Sequence, residues 1–462
     1  MNIDKWITWI LTILIAPQTY TKSLKDKVFL LVFDGFVHDF ETLTTNMPNF
    51  QKLASEGVKA RGLIPPFPSQ TSPSMVTLTT GLYPESHGII DNYFFDEKGN
   101  LFSYTDDPRN TAHFYTQEPI WLSNQKQGSG HSSVYYWPGY YAFTEKPTYH
   151  NHHITSLGAN VTTGRQAIDE TFEHYERDPS LNFMVVYVDA PDIVGHYQGR
   201  SSDQYRERME NLDKEILGYV LEKLSKRPEI NLLVTSDHGH IDVAHEHIHF
   251  ISDYLSDEML GEKPYCSSTC SLRPSDGYTA DQILEYLAPL FETGGFRVFN
   301  RDNLYDQFPD HLHFTNHRWI PPILILAEPG WLLLDDRSDQ WSKWHGLHGY
   351  DPSTCPEMQT IFYARGPAFK RAVTMEAFES VNVYPLLAHL LGVKPRPNNG
   401  SLAVFKHVLK DGNLVQEESS GNGNITNFVI GLVIVLVLVI GLYFGTQNKS
   451  SRDTFGRVKK NV

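Results

Sequence analysis

Short apolar runs alternate with amphipathic stretches along most of the chain. KVFLLVFDG, ending near Asp34, reads as a strand, and so do LNFMVVYVDAPD, INLLVTSDHG and PPILILAEPG. Each is apolar at successive positions, as strands buried between two helix layers must be. MPNFQKLASEG reads as a helix stopped at Gly57, and Asp203 to Leu224 as a long amphipathic helix closed before Pro228. A late helix runs from Val383 to Leu391, with Asn382 as its N-cap, Pro385 tolerated in the first turn and Gly392 closing it. The pattern predicts one α/β domain over residues 24–410, built on a mainly parallel sheet sandwiched by helices. The segment from about Gln307 to Gly349 is rich in His and Trp, breaks the alternation, and reads as a cap or insertion over the sheet edge.

Two further apolar runs lie outside that domain. Trp6 to Ala16, after Lys5, is too short to span a bilayer and reads as the core of a signal peptide over residues 1–16, cleaved near Ala16. Residues 428–445 carry no charge and read as a single transmembrane helix, with Tyr443 and Phe444 at the interface. Lys449, Arg452, Arg457, Lys459 and Lys460 then place residues 446–462 in the cytoplasm. The polar segment 411–427 is a stalk. This predicts a single-pass type I protein of the plasma membrane with its large domain outside. Asn160, Asn399 and Asn424 stand in N-x-S/T sequons on that side and are expected glycosylation sites; Asn448 also fits but lies on the cytoplasmic side. Of three cysteines, Cys266 and Cys270 are close enough in YCSSTC to bridge locally, which leaves Cys355 odd.

Charge narrows the chemistry. A formal net charge of −15 leaves no basic footprint for a nucleic-acid polymer and no bulk patch to hold an anionic substrate. A metal would have to supply positive charge locally. Three predicted strands end in suitable ligands: Asp34 in VFDG, Asp192 and His196 in DAPDIVGH, and Asp237 and His238 in TSDHGH. Singly, each is ordinary, since strand-end Asp residues cap helices and make turns. Together they sit beyond the carboxyl ends of three strands, where open α/β sheets bind ligands, and mixed carboxylate–imidazole ligation suits zinc. In FPSQTSPSM, Ser72 fits a helix N-cap and Pro73 the first helical position. Thr71 then faces the positive end of that helix, where a phosphate is drawn, and a metal would activate its hydroxyl. The runs HNHH (His150, His152, His153) and HEHIH (His245, His247, His249) read as a polar loop and a strand edge rather than metal sites.

FPSQT, TGLYPESHGIIDN, FDGF, PDIVGH, SDHG and GLHGYDP together resemble the ectonucleotide pyrophosphatase/phosphodiesterase family of the alkaline phosphatase superfamily, from roughly Val28 to Gly400. The single catalytic domain, stalk, span and short tail look like its type I membrane members, without the extra domains of the larger ones. The resemblance implies an alkaline-phosphatase-like fold and two Zn2+ per chain. Asp192, His196 and His348 would hold one; Asp34, Asp237 and His238 would hold the other, with Thr71 beside it as the nucleophile that forms a phospho-threonine. Asn92, in GIIDN, would donate to the developing phosphoryl charge. His348 comes from the resemblance: in WHGLHGYDP, His345 competes, and only the family's HG before an acidic turn favours His348. The implied activity is hydrolysis of phosphodiester and pyrophosphate bonds of extracellular nucleotides or dinucleotides. A choline-phospholipid phosphodiesterase of the glycerophosphocholine or lysophospholipid type is the alternative, and a catalytically weak binding or adhesion ectodomain a second. Oligomeric state stays open. Two positions depart from the family. Ser72-Pro73-Ser74-Met75 stands where Phe-Pro-Asn-His is frequent, removing a base-clamping phenylalanine; Tyr135, Tyr136, Trp137 and Tyr149 are the candidate replacements. His240 stands where Met is common and is not read as a ligand.

Overall fold

The computed structural model describes residues 26–103, 111–151, 161–301, 308–338 and 340–410. The expected signal peptide, stalk, membrane span and tail lie outside these residues, as do the sequons at Asn160 and Asn424. Among the described residues no helix is long and apolar enough to cross a membrane.

The main sheet has eight strands, in chain order β1 (Lys27–Asp34), β2 (Val58–Ala60), β3 (His131–Tyr135), β4 (Tyr149–Asn151), β5 (Leu181–Pro191), β6 (Ile230–Ser236), β7 (Phe362–Arg365) and β8 (Val373–Met375). Their spatial order is β8-β2-β7-β6-β1-β5-β3-β4. Only β7 runs against its neighbours; every other pairing is parallel, as the double-sided apolar runs predict. Along β1 the side chains alternate between two cores. Val28, Leu30 and Val32 pack with Trp121 and with Tyr384 and Leu387 of the helix Val383–Leu391. Phe29, Leu31 and Phe33 pack with Phe50, Phe172 and Ile216 of the helices on the opposite face. Period-two side-chain alternation thus builds both helix layers from one strand.

The predicted helices form with instructive differences. Asp203–Leu212 and Gly218–Leu224 are joined by a π-helical turn, Asp213–Leu217. Asp213 in that turn is fully buried, and its carboxylate accepts from the backbone N–H groups of Asn49 and Phe50 at 3.1 and 2.8 Å. It therefore caps the helix Pro48–Glu56, whose own N-cap residue, Met47, has no side-chain cap. Asn382 precedes the late helix as expected, but its side chain does not cap it; it binds the carbonyl of Glu379 and the N–H of Ser401 instead. Gly392 closes that helix in the left-handed region.

The insertion is larger than its His- and Trp-rich segment. It begins directly after β6 and carries a three-stranded antiparallel sheet, Thr269–Leu272, Ile323–Ala327 and Phe296–Asn300, backed by Ile283, Leu287 and Leu290 of the helix Ala280–Glu292. The strand from PPILILAEPG is thus real but lies at the centre of this second sheet, not in the parallel one. Periodicity reports burial on both faces and is blind to which sheet provides it. Cys266 and Cys270 form a disulfide at the base of the first of these strands, and Cys355 is buried and free.

Candidate metal centre

β6, β1 and β5 are neighbours in the sheet. Asp34 at the end of β1 is level with Pro191, and Phe33 with Ser236. Register alone therefore brings Asp34, Asp192 and Asp237 to one edge. Gly35 makes this crossing possible: its φ is +67°, and a Cβ there would sit 2.9 Å from the Asp192 Cα. Its N–H donates to Asp237 Oδ1 at 3.0 Å.

The hydrogen bonds leave selected atoms bare. Asp237 Oδ1 also accepts from the His238 N–H at 2.9 Å, while Oδ2 is buried with no partner. Asp34 Oδ2 accepts from the Tyr187 hydroxyl, while Oδ1 is buried with no partner. Both orphan oxygens face His238 Nε2, at 3.3 Å for Asp34 and 3.5 Å for Asp237. Thr71 Oγ1 lies 3.2 Å from the same nitrogen. Ligands of one tetrahedral zinc at ~2.0–2.1 Å stand about 3.3 Å apart, so these separations suit a shared ion. Buried carboxylate oxygens without partners are costly, and a cation bound between them would offset that cost.

The imidazoles are oriented the same way. Nδ1–H of His238 donates to the Gly239 carbonyl at 3.0 Å, that of His196 to Gly346 at 2.9 Å, and that of His348 to Ser69 at 3.1 Å. In each ring the carbonyl engages Nδ1, so Nε2 is the nitrogen that could ligate an ion. His196 Nε2 lies 3.4 Å from Asp192 Oδ2, and His348 Nε2 lies 3.6 Å from Oδ1. Of the two histidines in WHGLHGYDP, His348 is the buried one at the site; His345 is exposed, and its N–H donates to the His196 carbonyl. Asp192, His238, His240 and His348 form one group able to hold an ion, and Asp34, Asp237 and His238 another. His196 falls outside the tighter first group but beside Asp192.

Burial, then the neighbouring Asp34 charge, push the Asp237 carboxyl well above the usual carboxylate range. Burial pulls the His238 imidazole down, but the Asp237 and Asp34 carboxylates outweigh it and raise it to about 10. The centre thus carries surplus negative charge that a divalent ion would satisfy.

The helix that carries Thr71 runs from Thr71 to Thr80, two residues ahead of the expected start, with Gln70 as N-cap. Proline is tolerated at the third position because N–H groups of the first turn have no helical partner. The Ser72 N–H donates to Asn92 Oδ1 at 2.8 Å. An N–H can only donate, so the amide oxygen of Asn92 sits there and its NH2 points away, 3.3 Å from Gln70 Oε1. Ser72 is 1% exposed, so a phenylalanine at this position would displace its neighbours rather than fill an open face. Three of the four proposed aromatic replacements are committed elsewhere. Tyr135 and Trp137 are core residues, while Tyr149 stacks on His174 and donates to Asp178.

Three participants escaped sequence reasoning: Tyr187, Trp344, which stacks on His196 with ring centroids 3.7 Å apart, and His240. The only available signal was the adjacency of His240 to SDHG. The HEHIH run packs otherwise, with His247 flat on Trp331 at 4.2 Å and His245 against His345 at 4.8 Å. Among the described residues it contributes to neither group. Asn399 is exposed.

Residues 28–351 match the family model described as type I phosphodiesterase/nucleotide pyrophosphatase. The chain is 30% identical over 455 residues to a bis(5'-adenosyl)-triphosphatase from Xenopus laevis, covering 95% of this chain and 93% of that protein. It is 30% identical to human (Homo sapiens) ectonucleotide pyrophosphatase/phosphodiesterase family member 5, covering 86% and 80% respectively. Among solved structures, murine ectonucleotide pyrophosphatase/phosphodiesterase 5, as an inactive threonine-to-alanine variant in complex with AMP, superimposes with a TM-score of 0.75 at 29% identity, covering 83% of this chain and 100% of that one.

Proposed function

Because the chain belongs to the type I phosphodiesterase/nucleotide pyrophosphatase family, and is a nucleotide pyrophosphatase/phosphodiesterase of alkaline-phosphatase-like fold, we propose that it is a two-zinc, cell-surface hydrolase of extracellular nucleotides acting through a phospho-threonine. The observation that carries this reading is the pair of orphaned buried oxygens, Asp34 Oδ1 and Asp237 Oδ2, facing His238 Nε2 with Thr71 Oγ1 beside it.

Asp34, Asp237 and His238, with Thr71, would hold one Zn2+, and Asp192, His196 and His348 the other. When bound, the pair supplies positive charge to the phosphoryl oxygens and lowers the pKa of the attacking hydroxyl. Thr71 Oγ1 attacks phosphorus, a Thr–O–P bond forms, and the alkoxide or phosphate on the far side leaves. Water then attacks the same phosphorus and frees Thr71. Asn92, its oxygen held by the Ser72 N–H and one N–H spent on Gln70, would offer its second N–H to a phosphoryl oxygen; one such donor is typically worth ~2.7–4 kcal/mol. A type I plasma-membrane topology and glycans on Asn160, Asn399 and Asn424 complete the proposal.

Nucleotide specificity is supported by the dinucleotide triphosphatase activity in the name of the Xenopus relative and by AMP in the murine structure. The test is kcat/KM for a bis-adenosyl polyphosphate, a chromogenic nucleotide phosphodiester, glycerophosphocholine and sphingomyelin, with zinc counted in the same preparation. Nucleotide preference with two zinc ions is expected. Preference for a choline substrate would overturn the substrate class, and a single ion in fully active protein would overturn the two-metal site.

A further inference from the structure

His240 is the one imidazole of the centre whose hydrogen bonding is reversed. In His196, His238 and His348, Nδ1–H is spent on a backbone carbonyl and Nε2 is the nitrogen turned toward the carboxylates of the centre. In His240, Nδ1 is buried with no partner, and Nε2 lies 2.7 Å from Asp192 Oδ1. That separation is a hydrogen bond, and it is shorter than the ~3.3 Å between two ligands of one zinc. A carboxylate oxygen can only accept, so Nε2 of His240 is the donor of this bond.

The ring has little freedom to do otherwise. It is 0% exposed and sits edge-on to His196 at 4.8 Å and His348 at 5.3 Å, with Tyr205 at 6.1 Å. Across it lies the backbone of Gly195, where a Cβ would come within 2.9 Å of Nε2. Its backbone is tied as well: Arg200 Nη1 reaches the His240 carbonyl at 3.5 Å, and Arg200 is itself gripped by both oxygens of Asp39 at 2.8 Å.

We propose that His240 is a positioning residue that holds the Asp192 carboxylate in place for its zinc ion without ligating that ion. The proposal rests on the two-metal reading above. Outer partners of metal-ligating groups typically control 10–100-fold of metal affinity.

The test uses full-length protein in detergent, with zinc titrated against a chromophoric chelator and Co2+ substituted for its absorption spectrum. His240→Met and His240→Ala should each weaken one of two ions by ~10–100-fold and leave the other unchanged. The Co2+ bands should keep their energies, because the ligand atoms are unchanged. His240→Gln, which retains an N–H donor, should recover part of the loss. Wild-type affinity for both ions in His240→Met and His240→Ala would overturn the proposal. So would equal weakening of both ions, or no recovery in His240→Gln. A Co2+ band shift signalling a lost imidazole would make His240 a ligand instead. Fewer than two ions in the wild-type protein would overturn the two-metal reading itself, and this inference with it.

Discussion

A threonine hydroxyl is a weak nucleophile in water, and Thr71 is placed where that weakness can be corrected. It opens its helix, is 4% exposed, and points its hydroxyl at His238 Nε2, beside two bare carboxylate oxygens. Its hydroxyl neighbours do not compete. Ser69 Oγ is committed to the Tyr350 carbonyl at 2.7 Å, and the hydroxyls of Ser72 and Ser74 are buried without partners. Thr71→Ala should cut turnover by at least ~10⁴-fold while the fold and most bound metal persist. Hydrolysis of a chromogenic nucleotide phosphodiester, followed alongside zinc content, checks it; near-normal activity in Thr71→Ala with a dead Ser69→Ala would move the nucleophile. The histidine pair gives a second residue-scale test. His348→Ala should cost one ion and His345→Ala none, because only His348 turns Nε2 to Asp192. Metal analysis with the two outcomes exchanged would shift the ligand by three positions.

At the scale of elements, the inserted sheet reaches the start of the Thr71 helix through the small disulfide loop Cys266–Cys270. Gln70 Nε2 donates to Ser267 Oγ at 3.3 Å, and Thr269 Oγ1 donates to Asp91 Oδ2 at 2.7 Å. Asp91 Oδ1 in turn accepts from the Asn92 N–H at 2.7 Å. Burial pushes the Asp91 carboxyl up to about 6, and the Thr269 hydrogen bond pulls it back. Thr269→Val keeps the shape but strips the donor from a buried carboxylate, a loss of ~1–3 kcal/mol. Part of that loss should appear as misplacement of Asn92: kcat falls roughly 10-fold, as about 1.4 kcal/mol of barrier would give, with zinc content unchanged. Unchanged kcat in Thr269→Val, where Asn92→Ala is impaired, would break the link between loop and site.

For the whole molecule, stability should depend on pH through buried neutral histidines. His87 is 1% exposed, accepts from the Ile89 N–H at Nδ1 and meets Thr77 Oγ1 at Nε2, both at 3.1 Å. Burial first, then the His317 charge, pull its pKa down to about 3. The unfolded chain takes up this proton near pH 6.5 and the folded one only near 3. The contribution is therefore fully present above about pH 6.5 and is lost as pH falls, by up to ~1.4 kcal/mol per unit. Melting temperatures between pH 7 and pH 5 should drop in the wild type. His87→Gln should melt lower at pH 7 but show a shallower slope; an unchanged slope would assign the acid sensitivity to other groups. At the same scale, a chain of net charge −15 concentrates carboxylates and imidazoles where three parallel strands end, so a metal held there would give the site the positive charge an anionic substrate needs.

The sequence by itself determined what local pattern encodes: the strands ending at Asp34, Pro191 and Ser236, the helices flanking them, and the donors that follow each strand end. A doubly apolar run needs cover on both faces, and residues after a parallel strand emerge at its ligand-binding edge, so these inferences require no partner to be known. Tertiary structure alone decided matters that depend on distant partners. It put the Ile323–Ala327 strand in a second sheet and placed His348, not His345, beside Asp192. It also oriented each candidate ligand ring by a backbone carbonyl, which for His196 and His348 lies 150 and 279 residues away, and set His240 on Asp192, 48 residues off. Hydrophobic periodicity records how much of a side chain is buried. It carries no information about which remote atom stands at hydrogen-bonding distance, and in this centre that distance is what sets His240 apart from the other three imidazoles.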